Sequence, residues 1–264
     1  MNAGDIINYL NEIAPWQYAE EWDNVGLMVG SRDNNITKIL LCMDVTSDVI
    51  LEAAENGAQM IISHHPFIFS KMKSIDMETF KGDQIAKLIK NNITVVSAHT
   101  NLDTAPGGVN DTLAETLYLT NCQNLKPYVP NGLNCDLGMG KIGELQNYKR
   151  FDKFINDIKK NLAIENLRII GKKPEKVKKI AVFCGSFDDD LENLKSRKVD
   201  VLVTGDIKYH TALDAAQMGL CIVDAGHFAT ERMILPKLRD ILNKRFKELD
   251  IICSKMESDP FTFA

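Results

Sequence analysis

The chain has 264 residues, of which 45% are hydrophobic and 25% are charged, and its formal net charge is −5. This is the composition of an ordinary globular protein, with enough apolar residues for one large or two closely packed domains. Acidic and basic residues are interspersed without a basic stripe, which disfavours nucleic acid as a partner.

No run approaches the roughly 18 consecutive apolar residues that a membrane span needs. The first ten residues lack the basic start and apolar run of a signal peptide. The six cysteines show no C-x-x-C spacing, and most lie in apolar stretches that are typical of core strands. We therefore expect reduced thiols and a cytoplasmic protein without a membrane partner.

Apolar periodicity in the first half predicts alternating helices and strands. The predicted elements are, in order, a helix through Ile6, Ile7, Leu10 and Ile13 that ends at Pro15, strands 25–29 and 39–45, a helix capped around Thr46, strand 60–63, helix 84–91, strand 93–97 and helix 109–117. The buried β-branched runs between amphipathic helices indicate strands with both faces covered.

The second half repeats this alternation. Its predicted elements are helix 151–162, strands 167–170 and 180–184, helix 189–196, strand 199–204, helix 209–218, strand 221–223 and helix 230–246. Between the halves, residues 126–143 contain Pro127, Pro130 and four glycines, which predicts a domain junction with a hairpin around 138–143. The whole pattern predicts α/β layers with a largely parallel sheet.

The histidine segments follow predicted strands. His64 and His65 come after strand 60–63, His99 after strand 93–97, His227 after strand 221–223, and His210 after strand 199–204. In open α/β sheets, ligands gather at the carboxyl ends of the strands. Imidazoles with nearby carboxylates are ligands of borderline divalent cations, so these segments predict one metal site assembled by folding.

The spacing of the donors favours two ions. Successive strand residues point to opposite faces, so we expect His64 and His65, at a strand end, to serve different metals. His227 and Glu231 are spaced i and i+4 and share one helix face. Asp103 and Glu231 can bridge two cations roughly 3.5–4 Å apart. Without a thiolate ligand, zinc, manganese, iron, cobalt and nickel all fit.

Several donors have a second interpretation. His99 either hydrogen-bonds a ligand or substrate or is structural, and His210 either lines the cleft with Asp206 or packs at a helix start. Asp103 alone is also typical of a turn. The segment Cys184-Gly185-Ser186 is compatible with an anion at a helix start, but it lacks the full phosphate-loop pattern.

A set of ordered motifs resembles the Nif-three-like dinuclear metal-centre proteins, commonly labelled GTP cyclohydrolase 1 type 2 homologs. The motifs are Trp22-Asp23-Asn24-Val25-Gly26-Leu27, Ser63-His64-His65-Pro66, His99-Thr100-Asn101-Leu102-Asp103, Gly138 to Gly143, Thr204-Gly205-Asp206, and Asp224-Ala225-Gly226-His227 with Glu231. Longer members carry an inserted domain after a position resembling Lys126, which this chain lacks.

The resemblance implies two similar α/β domains with mainly parallel mixed sheets flanked by helices, and a metal pair in the cleft between them. The expected boundaries are 1–125 with about 228–264 for the first domain and 126–227 for the second. It implies the metal ligands His64, His65, Asp103, His227 and Glu231, and a homohexamer.

These observations predict a metal-dependent hydrolase with a metal-bridging water as nucleophile. His99 and His210 are its candidate catalytic residues, as proton relays. We expect a small-molecule substrate of the nucleotide or phosphoester class. The alternative is a non-catalytic oligomeric protein that handles metal or serves as a scaffold.

Overall fold

The computed structural model describes residues 1–128, 137–187 and 190–263. Its helices are α1 (Ala3–Ile13), α2 (Ser47–Glu55), α3 (Phe80–Lys90), α4 (Thr100–Thr104), α5 (Val109–Thr116), α6 (Phe151–Leu162), α7 (Leu191–Ser196), α8 (Tyr209–Gln217), α9 (His227–Glu231) and α10 (Ile234–Arg245). Its strands are β1 (Gly26–Val29), β2 (Lys38–Cys42), β3 (Met60–Ser63), β4 (Thr94–Ser97), β5 (Thr120–Tyr128), β6 (Leu137–Arg150), β7 (Arg168–Gly171), β8 (Lys176–Ser186), β9 (Val201–Gly205), β10 (Cys221–Asp224) and β11 (Asp250–Cys253).

Contacts between residues divide the chain into two units. The first comprises Met1–Ala105 with Leu235–Ser258, and the second comprises Pro106–Ile234 with Asp259–Ala264. The predicted domain boundaries at 125/126 and about 227/228 lie within the second unit of this division, and they stay a prediction.

The first unit contains a five-stranded sheet in the order β1-β4-β3-β2-β11. Four neighbouring strands run parallel, and only β1 is antiparallel, to β4. Every residue of β3 and β4 is buried, as the continuous apolar runs predict for strands covered on both faces. Full burial of Ile61 or Val95 contributes about 1.5–3 kcal/mol relative to exposure.

The helices of this unit begin at polar caps. The Asn2 side chain accepts a hydrogen bond from the Asp5 amide at 2.8 Å, and Thr46 caps α2 in the same way. Helix α3 begins at Phe80 because Thr79 caps it, so the predicted start at residue 84 is wrong. The short helix α4 and the final strand β11, which pairs with β2, are not among the elements predicted from the sequence.

The second unit contains a six-stranded sheet in the order β5-β6-β8-β9-β10-β7. Strands β8, β9 and β10 are parallel, while β5, β6 and β7 make antiparallel pairs. The sheet packs against helices through a core that includes Leu202, Leu220 and Ile222.

The glycine-rich segment that predicted a junction forms sheet in its described part. Residues 138–143 lie inside β6, so the predicted hairpin there is wrong, and residues 129–136 lie outside the described residues. Strands β5 and β6 pair antiparallel, with Lys126 opposite Met139. A Cβ at Gly138 would approach the Lys126 carbonyl oxygen to 2.3 Å, so glycine permits this pairing rather than marking a turn.

The predicted helix 230–246 is two helices, α9 and α10. Pro236 lies in the first turn of α10, where its missing N–H costs nothing, but its ring would clash with a carbonyl four residues earlier in a continuous helix. The break after Glu231 therefore follows from the proline.

The predicted fold class is confirmed, because both sheets are flanked by helices in an α/β arrangement. Within the described part of the chain, none of the helices has the length and apolar character needed to cross a membrane.

Candidate metal centre

Three histidines of the first unit meet beyond the ends of two adjacent strands. His64 and His65 follow β3, and His99 follows the neighbouring β4. One ring nitrogen from each lies within 4.8 Å of the other two. The rings of His64 and His65 are 5.0 Å apart between centroids, so the chain beyond the strand end brings neighbouring side chains together instead of separating them.

Each of these imidazoles is held through Nδ1. His64 Nδ1 lies 3.0 Å from the Ala98 carbonyl oxygen, and His65 Nδ1 lies 3.0 Å from Asp44 Oδ1. His99 Nδ1 lies 2.9 Å from Asp23 Oδ1. A carbonyl or ionised carboxylate only accepts hydrogen bonds, so each Nδ1 carries the proton and donates it. Nε2 is then the unprotonated nitrogen of each ring, which is the form of imidazole that binds a metal.

Asp23, which accepts from His99, has no exposed side-chain surface. Burial opposes its ionisation, but hydrogen bonds from His99 and Thr100 outweigh burial and lower the pKa to about 2. The Thr100 amide donates to Asp23 Oδ2 at 3.0 Å. Asp23 is therefore ionised at neutral pH and fixes the tautomer of His99.

Asp103, a predicted metal ligand, lies beside the histidine group. Helix α4 begins directly after His99, and the Asp103 amide donates to the His99 carbonyl at 3.0 Å. This turn brings Asp103 Oδ1 to 3.6 Å from His64 Nε2, in a buried position. The structure thus places Asp103 beside one predicted ligand, and it adds His99 to the group of closely spaced ring nitrogens.

The second unit holds the remaining predicted ligands on α9. His227 Nε2 lies 3.2 Å from Glu231 Oε2, as residues spaced i and i+4 on one helix face require. His227 Nδ1 lies 2.9 Å from Asp206 Oδ2, so this ring is also held through Nδ1. Glu231 is buried, with 3% of its surface exposed.

Gly185 makes room for the Glu231 carboxylate. Its φ is +64°, and a Cβ there would lie 2.3 Å from Glu231 Oε1. Its amide donates to Thr230 Oγ1 at 3.1 Å. This N–H is therefore engaged within the protein, which argues against the phosphate-loop interpretation of Cys184-Gly185-Ser186.

Two aspartates repeat one arrangement in the two units. Asp44 follows β2 and bonds His65, which follows the adjacent parallel strand β3. Asp206 follows β9 and bonds His227, which follows the adjacent parallel strand β10. Asp44 was not predicted as a site residue, and Asp206 was predicted to lie near His210. Both aspartates follow a strand that lies beside the strand preceding the histidine, and this shared position is the signal that could have identified them.

His210 is separate from these contacts. It is the second residue of α8 and is exposed, with its ring 5.4 Å from that of Tyr209. Its predicted proton-relay role stays a prediction.

The groups of closely spaced donor atoms found among the described residues contain histidine and glutamate but no cysteine. Burial raises the pKa of Cys42 and raises that of Cys221 to about 11, so both are protonated at neutral pH. None of the described cysteines forms a disulfide, and Cys135 lies outside the described residues.

Proteins with similar sequences share one name. A Clostridium perfringens protein named GTP cyclohydrolase 1 type 2 homolog is 43% identical over 264 residues and is covered completely, as is this chain. A Clostridium acetobutylicum protein of the same name is 37% identical, with 98% of this chain and 97% of that protein covered.

The fold comparison agrees. The crystal structure of a Bacillus cereus protein related to NIF3 matches with a TM-score of 0.90 and 29% identity, covering 100% of this chain and 99% of that one. Residues 1–260 match the family model described as Duf34/NIF3 (NGG1p interacting factor 3). The chain therefore belongs to the DUF34/NIF3 family.

Proposed function

We propose that this protein binds two divalent cations through His64, His65, Asp103, His227 and Glu231. The proposal rests mainly on one feature that the three histidines have in common, the hydrogen bond made by Nδ1 of each ring. In His64, His65 and His227, Nδ1 is hydrogen-bonded to an oxygen acceptor, so Nε2 is the unprotonated nitrogen that can coordinate a metal. Histidines that serve only packing do not need this common orientation.

The donor chemistry fits the proposed ions. Imidazole nitrogens with carboxylate oxygens suit zinc, iron, manganese, cobalt and nickel. Two divalent ions bring four positive charges, whereas the carboxylates of Asp103 and Glu231 bring two negative charges. The remaining positive charge attracts anionic oxygen atoms, which favours nucleotide or phosphoester substrates.

We propose further that the protein is a metal-dependent hydrolase. Bound divalent ions supply Lewis acidity and make water a nucleophile near neutral pH. His99 is the candidate proton carrier, because ionised Asp23 holds its Nδ1 proton and leaves Nε2 to accept or donate another. Relatives named GTP cyclohydrolase 1 type 2 homolog make GTP one substrate to test.

Metal analysis of variants tests the ligand set. Asp103→Asn and Glu231→Gln should each lower the metal content of the purified chain below two ions. His210→Ala is the matched control, because its exposed ring lies away from the described ligand contacts, and it should retain both ions. Retention of two ions by both carboxylate variants would contradict the assignment.

An activity screen tests the reaction. The metal-loaded protein should hydrolyse at least one member of a panel of GTP, other nucleotides and phosphoesters, with formate release monitored for GTP. Loss of turnover on chelation and recovery on metal addition are expected. A fully metal-loaded protein that is inert across the panel would contradict the hydrolase proposal.

A second candidate function is that of an oligomeric metal-handling or scaffold protein. One observation favours association: the first unit has an open cavity of about 610 Å³ lined by Met28, Ile68, Met72, Ile75 and Ile89. Exposed apolar surface of this kind is common at protein interfaces. We propose a homohexamer, as the family resemblance implies, and light scattering should give six times the chain mass.

A further inference from the structure

We propose that a cavity within the second unit binds a planar nitrogen heterocycle that presents adjacent N–H donors. This inference rests on the proposed function, because it names the substrate class that the metal ligands would serve. The cavity has a volume of about 480 Å³, within the roughly 300–1,000 Å³ of small-molecule sites.

The cavity adjoins a candidate metal ligand. Asp206 and Gly226 line it, and Asp206 Oδ2 also accepts the hydrogen bond from Nδ1 of His227. Asp206 has a φ of +46°, an uncommon conformation for a residue other than glycine. The chain thus holds Asp206 in an unfavourable conformation at the position where it contacts both the cavity and His227.

The charges of the lining select against phosphate. Glu165, Asp206, Asp224 and Asp259 line the cavity, whereas Arg168 is the single cationic side chain among its described lining residues. An anionic group placed here would meet an excess of negative charge. A ligand that donates hydrogen bonds is favoured instead.

Asp224 and Asp206 make hydrogen bonds or ion pairs within the protein. Asp224 is buried, pairs with Arg168, and accepts the amides of Ile207 and Gly226 at 3.1 Å each. Asp206 accepts from His227. These two carboxylates therefore shape the cavity wall.

Asp259 has an oxygen that can serve a ligand. Its Oδ1 accepts the Phe261 amide at 2.9 Å. Its Oδ2 lies 3.7 Å from the point that a Cβ on Gly226 would occupy, and the glycine keeps that space open. A carboxylate accepts several hydrogen bonds, so Asp259 can receive two adjacent donors from a ring edge.

Two aromatic side chains complete the lining. Phe261 and Phe263 are 69% and 64% exposed, although both line the cavity. A flat ring stacked on such side chains buries apolar surface that is otherwise left in water. Aromatic faces beside an accepting carboxylate match a heterocycle with N–H groups on its edge.

Calorimetric titration of the full-length chain tests the proposal with three nucleosides. Guanosine presents a ring N–H beside an exocyclic amine, inosine lacks the amine, and adenosine lacks the ring N–H. We expect guanosine to bind most tightly. The titration is run on protein as purified and again after chelation, with metal content measured on both samples.

The variants identify the binding groups. Asp259→Asn should raise the guanosine dissociation constant about tenfold or more through loss of charge-assisted hydrogen bonds. Phe261→Ala should weaken the binding of all three nucleosides. Phe80→Ala removes an equally exposed phenylalanine of the first unit and should leave guanosine binding unchanged.

The outcomes separate the two proposals. Two bound ions without guanosine binding, or guanosine binding unaffected by both Asp259→Asn and Phe261→Ala, would overturn the heterocycle site alone. Guanosine binding by a protein that retains fewer than two ions after saturation with zinc, iron or manganese would overturn the dinuclear proposal alone. Binding that disappears on chelation would show that the metals, rather than the cavity, hold the nucleoside, and would also overturn this inference.

Discussion

The carboxylate of Asp23 accepts a hydrogen bond at 2.9 Å from Nδ1 of His99, 76 residues later in the chain. The Thr100 amide and hydroxyl donate to the other oxygen of the same carboxylate. Burial, which normally disfavours a carboxylate, is overcome because three donors converge on it. The pair therefore fixes the orientation and the tautomer of His99 before any ligand binds.

Asp23→Asn should change the tautomer of His99. An amide can present either its oxygen or its NH2 group to Nδ1, so the strict preference for the Nδ1–H form is lost. Nitrogen NMR of the histidine rings in the chelated protein at neutral pH should show one tautomer in the parent and a mixture in the variant. Asp33→Asn, at an exposed position, is the control. An unchanged His99 spectrum in Asp23→Asn would contradict this role.

His99→Ala separates proton transfer from metal binding. We assign His99 to proton transfer, so the variant should retain two ions while turnover falls by about 100-fold or more. Elemental analysis and the activity screen on the same sample decide the matter. Loss of one ion would instead make His99 a ligand, which its proximity to His64 and His65 permits geometrically.

Gly185→Ala should lower the metal content of the protein and reduce its stability. The new Cβ would lie 2.3 Å from Glu231 Oε1, and the residue has a left-handed φ. We expect a loss of about 2–4 kcal/mol in the free energy of unfolding, together with a lower metal content.

Gly57→Ala is the matched control. Its φ of +66° is nearly the same, but no atom lies within 4 Å of the added Cβ. It should cost only about 1–2 kcal/mol, from the backbone conformation, and leave the metal content unchanged. Equal effects of the two variants on metal content would contradict the role of Gly185.

Glu257 predicts a pH dependence of stability. Burial raises its pKa to about 7, despite hydrogen bonds from the Asp44 and Met43 amides, each 2.7 Å from Oε1. Between about pH 4.5 and 7 the folded state holds a proton that the unfolded state has lost, so stability falls as pH rises through this window. After allowance for solvent screening, the expected loss is about 1–2 kcal/mol.

Glu257→Gln should remove this part of the slope, because the amide oxygen can still accept both backbone N–H groups. Urea denaturation of the chelated protein at pH 5, 6, 7 and 8 measures it. Glu248→Gln, an exposed control, should keep the parent slope. A parent slope that persists in Glu257→Gln would show that another group titrates.

Strongly periodic elements could be predicted from the sequence. Strand β3 and helix α6 have the bounds that were predicted for them. A short continuous apolar run indicates a buried strand, and an amphipathic repeat of helical period indicates a helix. Strands β5 and β6 could not be predicted in this way, since glycines that usually mark turns here allow close strand pairing.

The hydrogen-bonding partners of the histidines were harder to predict. Asp44 lies 21 residues before His65, and Asp206 lies 21 residues before His227. Their contacts follow from which strands are neighbours, and local spacing does not encode that order. Because β2 lies beside β3, and β9 beside β10, an aspartate at the carboxyl end of one strand can reach the histidine that follows its neighbour.

The metal stoichiometry of the full chain tests the central claim most directly. Elemental analysis of protein purified without chelators, then saturated with zinc, iron or manganese and desalted, gives the number of retained ions. The account predicts two divalent ions per chain, both removed by strong chelation. A chain that retains no ion, or never more than one, under all three loading conditions would contradict it.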